Sequence, residues 1–302
     1  MNRQPNKEYK IGMIAALTCS ILWGVLPIYW QALRPIESSV IIFYRIALVG
    51  VVCFVAALIF YGWERIKAPL SVKGAKGKYF LAGVMITLCW SIYIWAVNED
   101  MVIQTCIGYY IEPLMVSLFG VFLFKEKLTK YKTAALIMAF MGVLVILIYF
   151  HRIPLVALSL ALTFSIYAAM KKSFQIEPLL SLLYETMFLV PVAVAVIVYM
   201  ELTGQGALGV GTPVQYGLLL CSGLFTAIPL GLFAMAVNKV NLVTMGLIEY
   251  VAPSITLFIG IYIFKEAFDL VQFLAFVLIW IGLVIFTYGE LHGYHKNRGL
   301  RV

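Results

Sequence analysis

Long apolar runs separated by short polar gaps occupy almost the whole chain. An α-helix rises about 1.5 Å per residue, so about 20 apolar residues are enough to cross the ~30 Å hydrocarbon core of a bilayer. Transmembrane strands are excluded, because a barrel shows alternating segments of about ten residues, whereas these runs are continuous and twice as long. The pattern predicts ten membrane-spanning helices, at residues 11–30, 39–61, 79–97, 103–124, 132–149, 153–170, 179–200, 214–235, 242–264 and 270–289.

The amino-acid composition also indicates that the protein is surrounded by lipid rather than by water. Of the 302 residues, 63% are apolar and 12% are charged, against roughly one half and one quarter in an average soluble domain. A soluble fold could not cover so much apolar surface. We therefore expect an all-α membrane protein whose first partner is the lipid bilayer.

The basic residues are distributed unevenly between the two predicted faces of the membrane. Arg45 falls within a span, and Arg34, Arg152 and Lys265 fall in loops on one side; the remaining basic residues of the 22 all lie on the other side, together with both termini. Lysine and arginine accumulate on the cytoplasmic side of membrane proteins. We therefore predict that both termini are cytoplasmic. The lysine-rich run at 73–78 is explained by this topology, and no nucleic-acid partner is expected.

The two halves of the chain resemble each other. At an offset of 140 residues the register runs without a gap over three predicted helices, and near the start of each half the offset becomes 145. At the offset of 140 the matches include Tyr110 with Tyr250, Pro113 with Pro253, Phe124-Lys125-Glu126 with Phe264-Lys265-Glu266, and Gly142 with Gly282.

Each half contains five predicted spans. Because five is odd, the second half must enter the membrane from the side opposite to the first. The sequence therefore predicts two inverted five-helix repeats, residues 1–150 and 151–302. Two halves of this kind can exchange conformations and expose a site between them alternately to each side, which predicts a transporter. Proline removes a backbone hydrogen bond, so we expect kinks at Pro113 and Pro253 beside the central cavity.

Four charged side chains lie well inside predicted spans: Arg45, Glu112, Glu185 and Glu249. Each costs about 2.5–3.5 kcal/mol at the centre of a bilayer and should face protein or water rather than lipid. Arg45 and Glu185 are equivalent in the repeat and are predicted to lie near opposite membrane faces. For this pair a structural or gating role is favoured over contact with a solute.

Glu112 and Glu249 lie near the middle of the fourth and ninth spans, three positions apart in the repeat alignment and hence on one helix face. We expect both carboxylates in one cavity, beside Tyr109, Tyr110 and Tyr250, whose rings attract cations. A small cationic or zwitterionic solute suits such a cavity. Because desolvation favours the protonated carboxyl group, either residue is also a candidate for a coupling proton. The alternative is that one or both are protonated and only hydrogen-bonded between helices.

Other side chains give weaker predictions. Trp23 and Trp90 either line the pathway or anchor the protein at the membrane interface. The five cysteines lie in spans and are interpreted as small buried apolar residues. The three histidines lie in a loop or the tail, and no metal cluster, catalytic dyad or Walker motif can be drawn. We therefore predict no enzyme, no metal and no cofactor.

Several short motifs carry a family resemblance: Ile94-Trp95-Ala96-Val97-Asn98, Gly108-Tyr109-Tyr110, Pro113-Leu114, Glu185-Thr186-Met187 and Pro191-Val192. Together with the predicted repeats, they make the chain resemble the RarD-like branch of the EamA family, in the drug/metabolite transporter superfamily, over about residues 11–290.

The resemblance implies a permease or exporter of small metabolites in a bacterial inner membrane. It also implies a cavity built mainly from spans one, three, four, six, eight and nine. Three residues depart from the family pattern: Tyr44 replaces a usual His, Glu112 a usual Asn and Glu249 a usual Gln. Two added carboxylates argue against transferring a substrate from the family.

These observations predict a secondary transporter that uses no ATP, moves a small metabolite or drug-like solute by alternating access, and works in the direction of efflux. The alternatives are a channel or lipid scramblase, and a membrane sensor that transports nothing. Neither alternative requires an inverted repeat.

Overall fold

A computed structural model describes residues 7–72, 74–98, 102–150, 155–174, 176–265 and 270–299, and all the regular structure within these ranges is helical. Lys73, Arg152 and Glu266, which entered the sequence analysis, lie outside them. The helices are α1 (Lys7–Ala32), α2 (Ser38–Lys67), α3 (Ala75–Asn98), α4 (Val102–Phe122), α5 (Lys130–Phe150), α6 (Leu155–Ser173), α7 (Pro178–Met187), α8 (Val190–Leu202), α9 (Pro213–Lys239), α10 (Leu242–Glu249), α11 (Val251–Tyr262) and α12 (Leu270–Gly299), with a 3-10 turn at Ala68–Ser71.

The described helices are those of a membrane protein. Seven segments are long and apolar enough to cross a bilayer, or eight if the bent pair α7 and α8 is one span. The all-α membrane class is therefore confirmed. The count of ten spans, the inversion of the second half and the side of the termini remain predictions.

Two helical segments that the sequence predicts as continuous are broken. Helices α7 and α8 meet at an angle of 51°, and α10 and α11 are separated at Tyr250. Each first helix ends four residues before a proline: α7 at Met187, before Pro191, and α10 at Glu249, before Pro253. Proline has no N–H to donate to that carbonyl and clashes with it, which explains both ends. Helix α4, in contrast, continues through Pro113.

Helices α5 and α12 cross at two glycines. A Cβ added at Gly142 would lie 2.8 Å from the backbone oxygen of Ala275, and one added at Gly282 would lie 2.9 Å from that of Ala135. The offset of 140 residues converts one contact into the other. Glycine is what allows backbones inside a membrane to approach this closely.

A second pair of features has the same spacing. Lys125 and Lys265 adopt the left-handed backbone conformation, with φ of 51° and 57°, and no other non-glycine residue in the described ranges does so. Both follow a phenylalanine at the end of an apolar helix. Two identical local conformations, 140 residues apart, thus end α4 and α11.

Helices of the first half of the chain pack against helices of the second half. Helix α4 packs against α6 and α10, while α1 packs against α9 and α11. Gly246 on α10 allows close approach to α4, because a Cβ there would lie 2.3 Å from the backbone oxygen of Pro113. The adjacent turns of α4 and α10 carry Glu112 and Glu249.

The cysteines follow the prediction in part. Cys19, Cys53 and Cys89 are buried, as expected for small apolar side chains. Cys221 is exposed on α9, so its predicted burial is wrong. A thiol is apolar enough to face lipid, and the pattern of the span does not say which face is covered. The side chain of Cys106 lies outside the described part of the chain.

The α5–α12 crossing predicts a specific sensitivity to one added carbon. Gly142→Ala and Gly282→Ala should each lower stability by about 1–3 kcal/mol, because a backbone oxygen cannot move aside as a side chain can. Gly217→Ala is the matched control, since nothing lies within 4 Å of the added Cβ. The apparent melting temperature of detergent-purified protein, read by size-exclusion chromatography after heating, measures the difference. Equal melting temperatures for all three variants would contradict this packing.

Candidate functional site

The two carboxylates predicted near the bilayer centre interact across the helix interface. Glu249 is the last residue of α10; it is 3% exposed, and neither of its oxygens has a hydrogen-bond partner in the described structure. Glu112 lies in the middle of α4 and is partly exposed. It is close enough to act electrostatically on Glu249. The two carboxylates therefore differ in exposure: Glu112 is partly exposed, whereas Glu249 is buried.

The three tyrosines named with these carboxylates have separate surroundings. Tyr250 is buried and its hydroxyl donates to the backbone oxygen of Tyr110 at 3.0 Å, so it joins the α10–α11 break to α4. The Tyr110 ring packs edge-on against Phe276 of α12, with centroids 5.0 Å apart. Tyr109 is exposed and its ring is 5.9 Å from that of Tyr93 on α3. Of the three tyrosines, only Tyr109 is well exposed.

Trp23 belongs to an aromatic cluster inside the bundle. Its ring lies 5.9 Å from Phe164 of α6 and 5.5 Å from Phe233 of α9. Phe233 in turn stacks on Tyr167, at 6.0 Å. The cluster joins α1, α6 and α9, which places Trp23 at the helix interface that flanks the two carboxylates.

Arg45 is held by tryptophans. Its guanidinium carbon lies 4.3 Å from the centroid of Trp90 and 5.3 Å from that of Trp30. No carboxylate in the described ranges pairs with it, and its Nε is buried without a hydrogen-bond partner. Sequence reasoning did not include Trp30. The available signal was its position near the end of α1, because only a short connection separates α1 from α2, the helix that carries Arg45.

Glu185 has a buried partner that the sequence analysis placed elsewhere. Its Oε1 lies 2.7 Å from Nζ of Lys171, and both residues are 1% exposed. Ser181 donates to the same carboxylate at 2.7 Å and Tyr167 at 3.1 Å. Lys171 therefore belongs to α6, which continues to Ser173, past the predicted end of the span at residue 170. The cytoplasmic side of this helix end remains a prediction. A buried glutamate requires a cation, and Lys171 lies on the side of α6 that faces α7.

Lys172 follows Lys171 but points about 100° further around the helix. Its ammonium donates to the backbone oxygens of Val237, at 2.9 Å, and Val240, at 2.5 Å, where α9 ends. Free carbonyls at a helix C-terminus attract cations. The two lysines thus attach α6 to two different neighbours.

A polar group that we call the closing cluster joins four helices at the end of the bundle where α1 begins. It consists of Tyr9, Lys132, Thr244 and Glu290. Lys132 donates to Thr244 at 2.8 Å and pairs with Glu290 at 3.1 Å, while Tyr9 donates to Glu290 at 2.8 Å. From the sequence, Lys132 was expected only to be one of the basic residues on the cytoplasmic side of the membrane.

Glu126 fixes the start of α10 beside this cluster. Its carboxylate accepts from the backbone N–H groups of Leu242, at 2.8 Å, and Val243, at 3.0 Å, and Lys172 lies 3.8 Å away. A carboxylate at a helix N-terminus satisfies free donors and complements the helix dipole. The repeated Phe-Lys-Glu motif was the sequence signal for this role. Nearby, Lys239 pairs with Glu8 of α1.

No metal site is formed by the described residues, since none of their His, Cys, Asp and Glu side chains come together in threes. Apart from the charges that fix helix ends, the groups described here are a satisfied ion pair, the closing cluster, an arginine between tryptophans and two carboxylates on facing helices.

Comparison with known proteins places this arrangement in a family. The profile of the EamA-like transporter family matches residues 10–148 and again residues 152–288. The chain belongs to this family. It is 33% identical to "Uncharacterized transporter YojE" of Bacillus subtilis, covering 94% of this chain and 96% of that protein. It is 33% identical to "Protein RarD" of Streptomyces exfoliatus, covering 96% of this chain and 92% of that protein.

The EamA fold is also found among solved structures. One crystal structure matches 92% of this chain and 97% of its own with a TM-score of 0.70, at 15% identity, which shows the fold alone. The resemblance to RarD-like EamA proteins is thus confirmed. The protein is a multi-pass membrane protein and a membrane transporter of the drug/metabolite type.

The buried ion pair predicts a large and specific loss of stability. Lys171→Met leaves Glu185 buried without a cation, which should cost about 3–5 kcal/mol and lower the melting temperature. The control is Glu177→Gln, which removes the 2.8 Å pair with Arg65 at an exposed position and should cost no more than about 1 kcal/mol. Adding Glu185→Gln to Lys171→Met should recover part of the loss. A double variant as unstable as the sum of the single ones would contradict the pairing.

Proposed function

We propose that this EamA protein is a secondary transporter of a bacterial inner membrane, moving a small cationic or zwitterionic metabolite or drug-like solute by alternating access, without ATP. Following the family resemblance, we propose efflux as the direction and no enzymatic activity. The observation that carries the proposal is the pair Glu112 and Glu249, two interacting carboxylates on facing helices, one partly open and one sealed.

The two carboxylates differ in surroundings, which suggests different tasks. Glu112 is the more exposed of the two, which suits contact with a solute cation. Glu249 has no partner in the described structure, and an unpaired charge is costly there, so a bound proton is the simplest way to neutralise it. We propose Glu112 as the solute ligand and Glu249 as the carrier of the coupling proton.

Alternating access requires two halves that can exchange conformations, and we propose the inverted repeats, residues 1–150 and 151–302, as those halves. Three observations support them: the reciprocal glycine contacts between α5 and α12, the matching backbone conformations of Lys125 and Lys265, and the two successive family matches. On this proposal ten spans place both termini in the cytoplasm.

The closing cluster is proposed as the cytoplasmic gate. It joins α1 and α5 of the first half to α10 and α12 of the second, at the end where the lysines lie. With this end closed and Glu112 partly exposed, we infer that the structure represents the state whose cavity opens to the opposite side. Breaking the Lys132–Glu290 pair would be part of the change to the other state.

The test starts from purified protein in nanodiscs. A thermal-shift screen against amino acids, polyamines, nucleosides and amphenicols at two pH values identifies solutes, and counterflow in proteoliposomes measures flux for each hit. Glu112→Gln should reduce saturable flux about tenfold or more through loss of a charge-assisted contact. Glu249→Gln should keep solute binding and lose the pH dependence of flux. Glu64→Gln is the control, since that carboxylate is highly exposed.

Three results would contradict the proposal. Saturable, pH-dependent flux that survives both substitutions would show that these carboxylates are not the site. Flux without saturation would indicate a channel or scramblase, and no flux with any solute would indicate a sensor.

A further inference from the structure

An apolar groove runs along the outside of the bundle between α4 and α5. Helix α4 packs mainly against α6 and α10, and α5 packs mainly against α12, so these two consecutive helices leave a gap. The groove has a volume of about 190 Å³, below the roughly 300–1,000 Å³ of small-molecule pockets. It therefore suits part of one acyl chain rather than a whole solute. Its lining includes Leu114, Leu118, Leu128, Thr133, Ile137 and Phe140.

The α5 side of this groove begins at a charged residue. Thr133, Ile137 and Phe140 lie on one face of α5, and Lys130, the first residue of the helix, lies one turn before Thr133 on the same face. The distance along the helix from Lys130 to Phe140 is about 15 Å, half of the ~30 Å hydrocarbon core. The groove is therefore about as long as one leaflet is thick, with a cation at its end.

More positive charge lies where α4 is connected to α5. Lys125, Lys127 and Lys130 are exposed in this segment, on either side of the groove residue Leu128. None of the three pairs with a carboxylate in the described ranges. The acidic residue of the connection, Glu126, accepts instead from the N-terminus of α10. The end of the groove therefore keeps a positive charge that an external anion can neutralise.

The second half of the chain does not repeat this combination. At the offset of 140 residues, Lys130 corresponds to Leu270 and Thr133 to Phe273. A cytoplasmic location alone would explain the lysines, but it would not explain a groove that ends among them. The coincidence of the groove with the lysines, in the first half, is the observation that carries the inference.

We propose that the α4–α5 groove binds one anionic membrane phospholipid, whose phosphate lies against Lys127 and Lys130 and whose acyl chain lies between the two helices. Acyl chains cover every surface that faces the bilayer, and apolar contact alone does not select one lipid, because lipid tails are as apolar as leucine. Selection needs a groove that fixes a chain and basic residues that attract an anionic headgroup. The inference is independent of the solute and of the coupling proton.

Native mass spectrometry of the full-length protein in detergent counts bound lipids and tests the proposal. The probes are phosphatidylglycerol, which is anionic, and phosphatidylcholine with the same acyl chains, which is zwitterionic. Soluble glycerol phosphate supplies the phosphate without a chain. We expect the wild-type protein to bind one phosphatidylglycerol in preference to phosphatidylcholine, and glycerol phosphate not to displace it.

Lysine variants test the headgroup contact. Lys127→Gln combined with Lys130→Gln should weaken binding of phosphatidylglycerol roughly 10- to 30-fold and leave binding of phosphatidylcholine unchanged. The matched control is Lys76→Gln combined with Lys78→Gln, which removes the same charge from exposed positions at the start of α3. This control should change the binding of neither lipid.

A groove variant tests the position of the acyl chain while every lysine is kept. Thr133→Phe introduces the side chain that the second half has at residue 273, and the exposed position leaves room for the ring outside the core. Binding of phosphatidylglycerol should weaken by about threefold or more, because the chain loses van der Waals contacts. The preference for phosphatidylglycerol over phosphatidylcholine should remain.

Four outcomes would overturn the inference. No preference for phosphatidylglycerol, or an equal loss in both double lysine variants, would indicate diffuse surface charge rather than a site. Unchanged binding in Thr133→Phe would place the lipid outside the groove. Displacement by glycerol phosphate would indicate an anion site without an acyl chain. A dimer that carries no lipid would assign the groove to a second copy of the chain.

Discussion

Water is scarce in the middle of a bilayer, so a charge placed there must be neutralised by protein, by a proton or by a bound solute. Charges in the described part of this transporter differ in how this constraint is met. Lys171 and Glu185 neutralise each other and are fully hydrogen-bonded, which suits a fixed connection between α6 and α7. The Nε of Arg45 and both carboxylate oxygens of Glu249 lack such partners in the described residues. The contrast is what separates the structural charges from the candidate functional ones.

The break between α10 and α11 determines the position of the Glu249 carboxylate. Because Pro253 has no N–H to donate to the backbone carbonyl of Glu249, α10 ends inside the bundle at Glu249, and α11 begins beside it. Glu249 therefore lies between the C-terminus of α10, where the helix dipole is negative, and the N-terminus of α11, where it is positive, and neither of its oxygens has a direct partner in the described structure. Interrupted helices of this kind commonly form the binding sites of secondary transporters. The glycine contacts between α5 and α12 hold the two halves together away from this break.

Much of this architecture follows from hydropathy, but its polar connections do not. The apolar runs indicated the helices, and Glu112 and Glu249 stood out because charges inside such runs are rare. The breaks at Phe188–Leu189 and Tyr250 were missed, since apolar composition is the same on both sides of a break. Lys171 was missed because it adjoins Lys172 at a basic helix end, where topology alone seemed to explain it. The presence of Glu185 in the next span, which needed a cation, was the overlooked signal.

The closing cluster shows a similar limit. Tyr9, Lys132, Thr244 and Glu290 come from four helices distant in sequence, and only the packing of those helices brings them together. Arg45 differs again: the sequence placed it inside a span but did not show the two tryptophans that lie against its guanidinium. In each case the residue type was visible, and the partner depended on tertiary structure.

The central claim is that the two halves move against each other, so that one end of the bundle opens as the other closes. Pulsed electron resonance between paired spin labels measures this directly in a cysteine-free background. Labels replacing Lys7 and Leu291 report the end with the closing cluster, and labels replacing Trp95 and Tyr262 report the opposite end; each pair joins the two halves, and all four positions are exposed. We predict that disrupting the closing cluster with Glu290→Gln lengthens the first distance and shortens the second. Two distances that stay fixed while solute crosses the membrane would contradict alternating access.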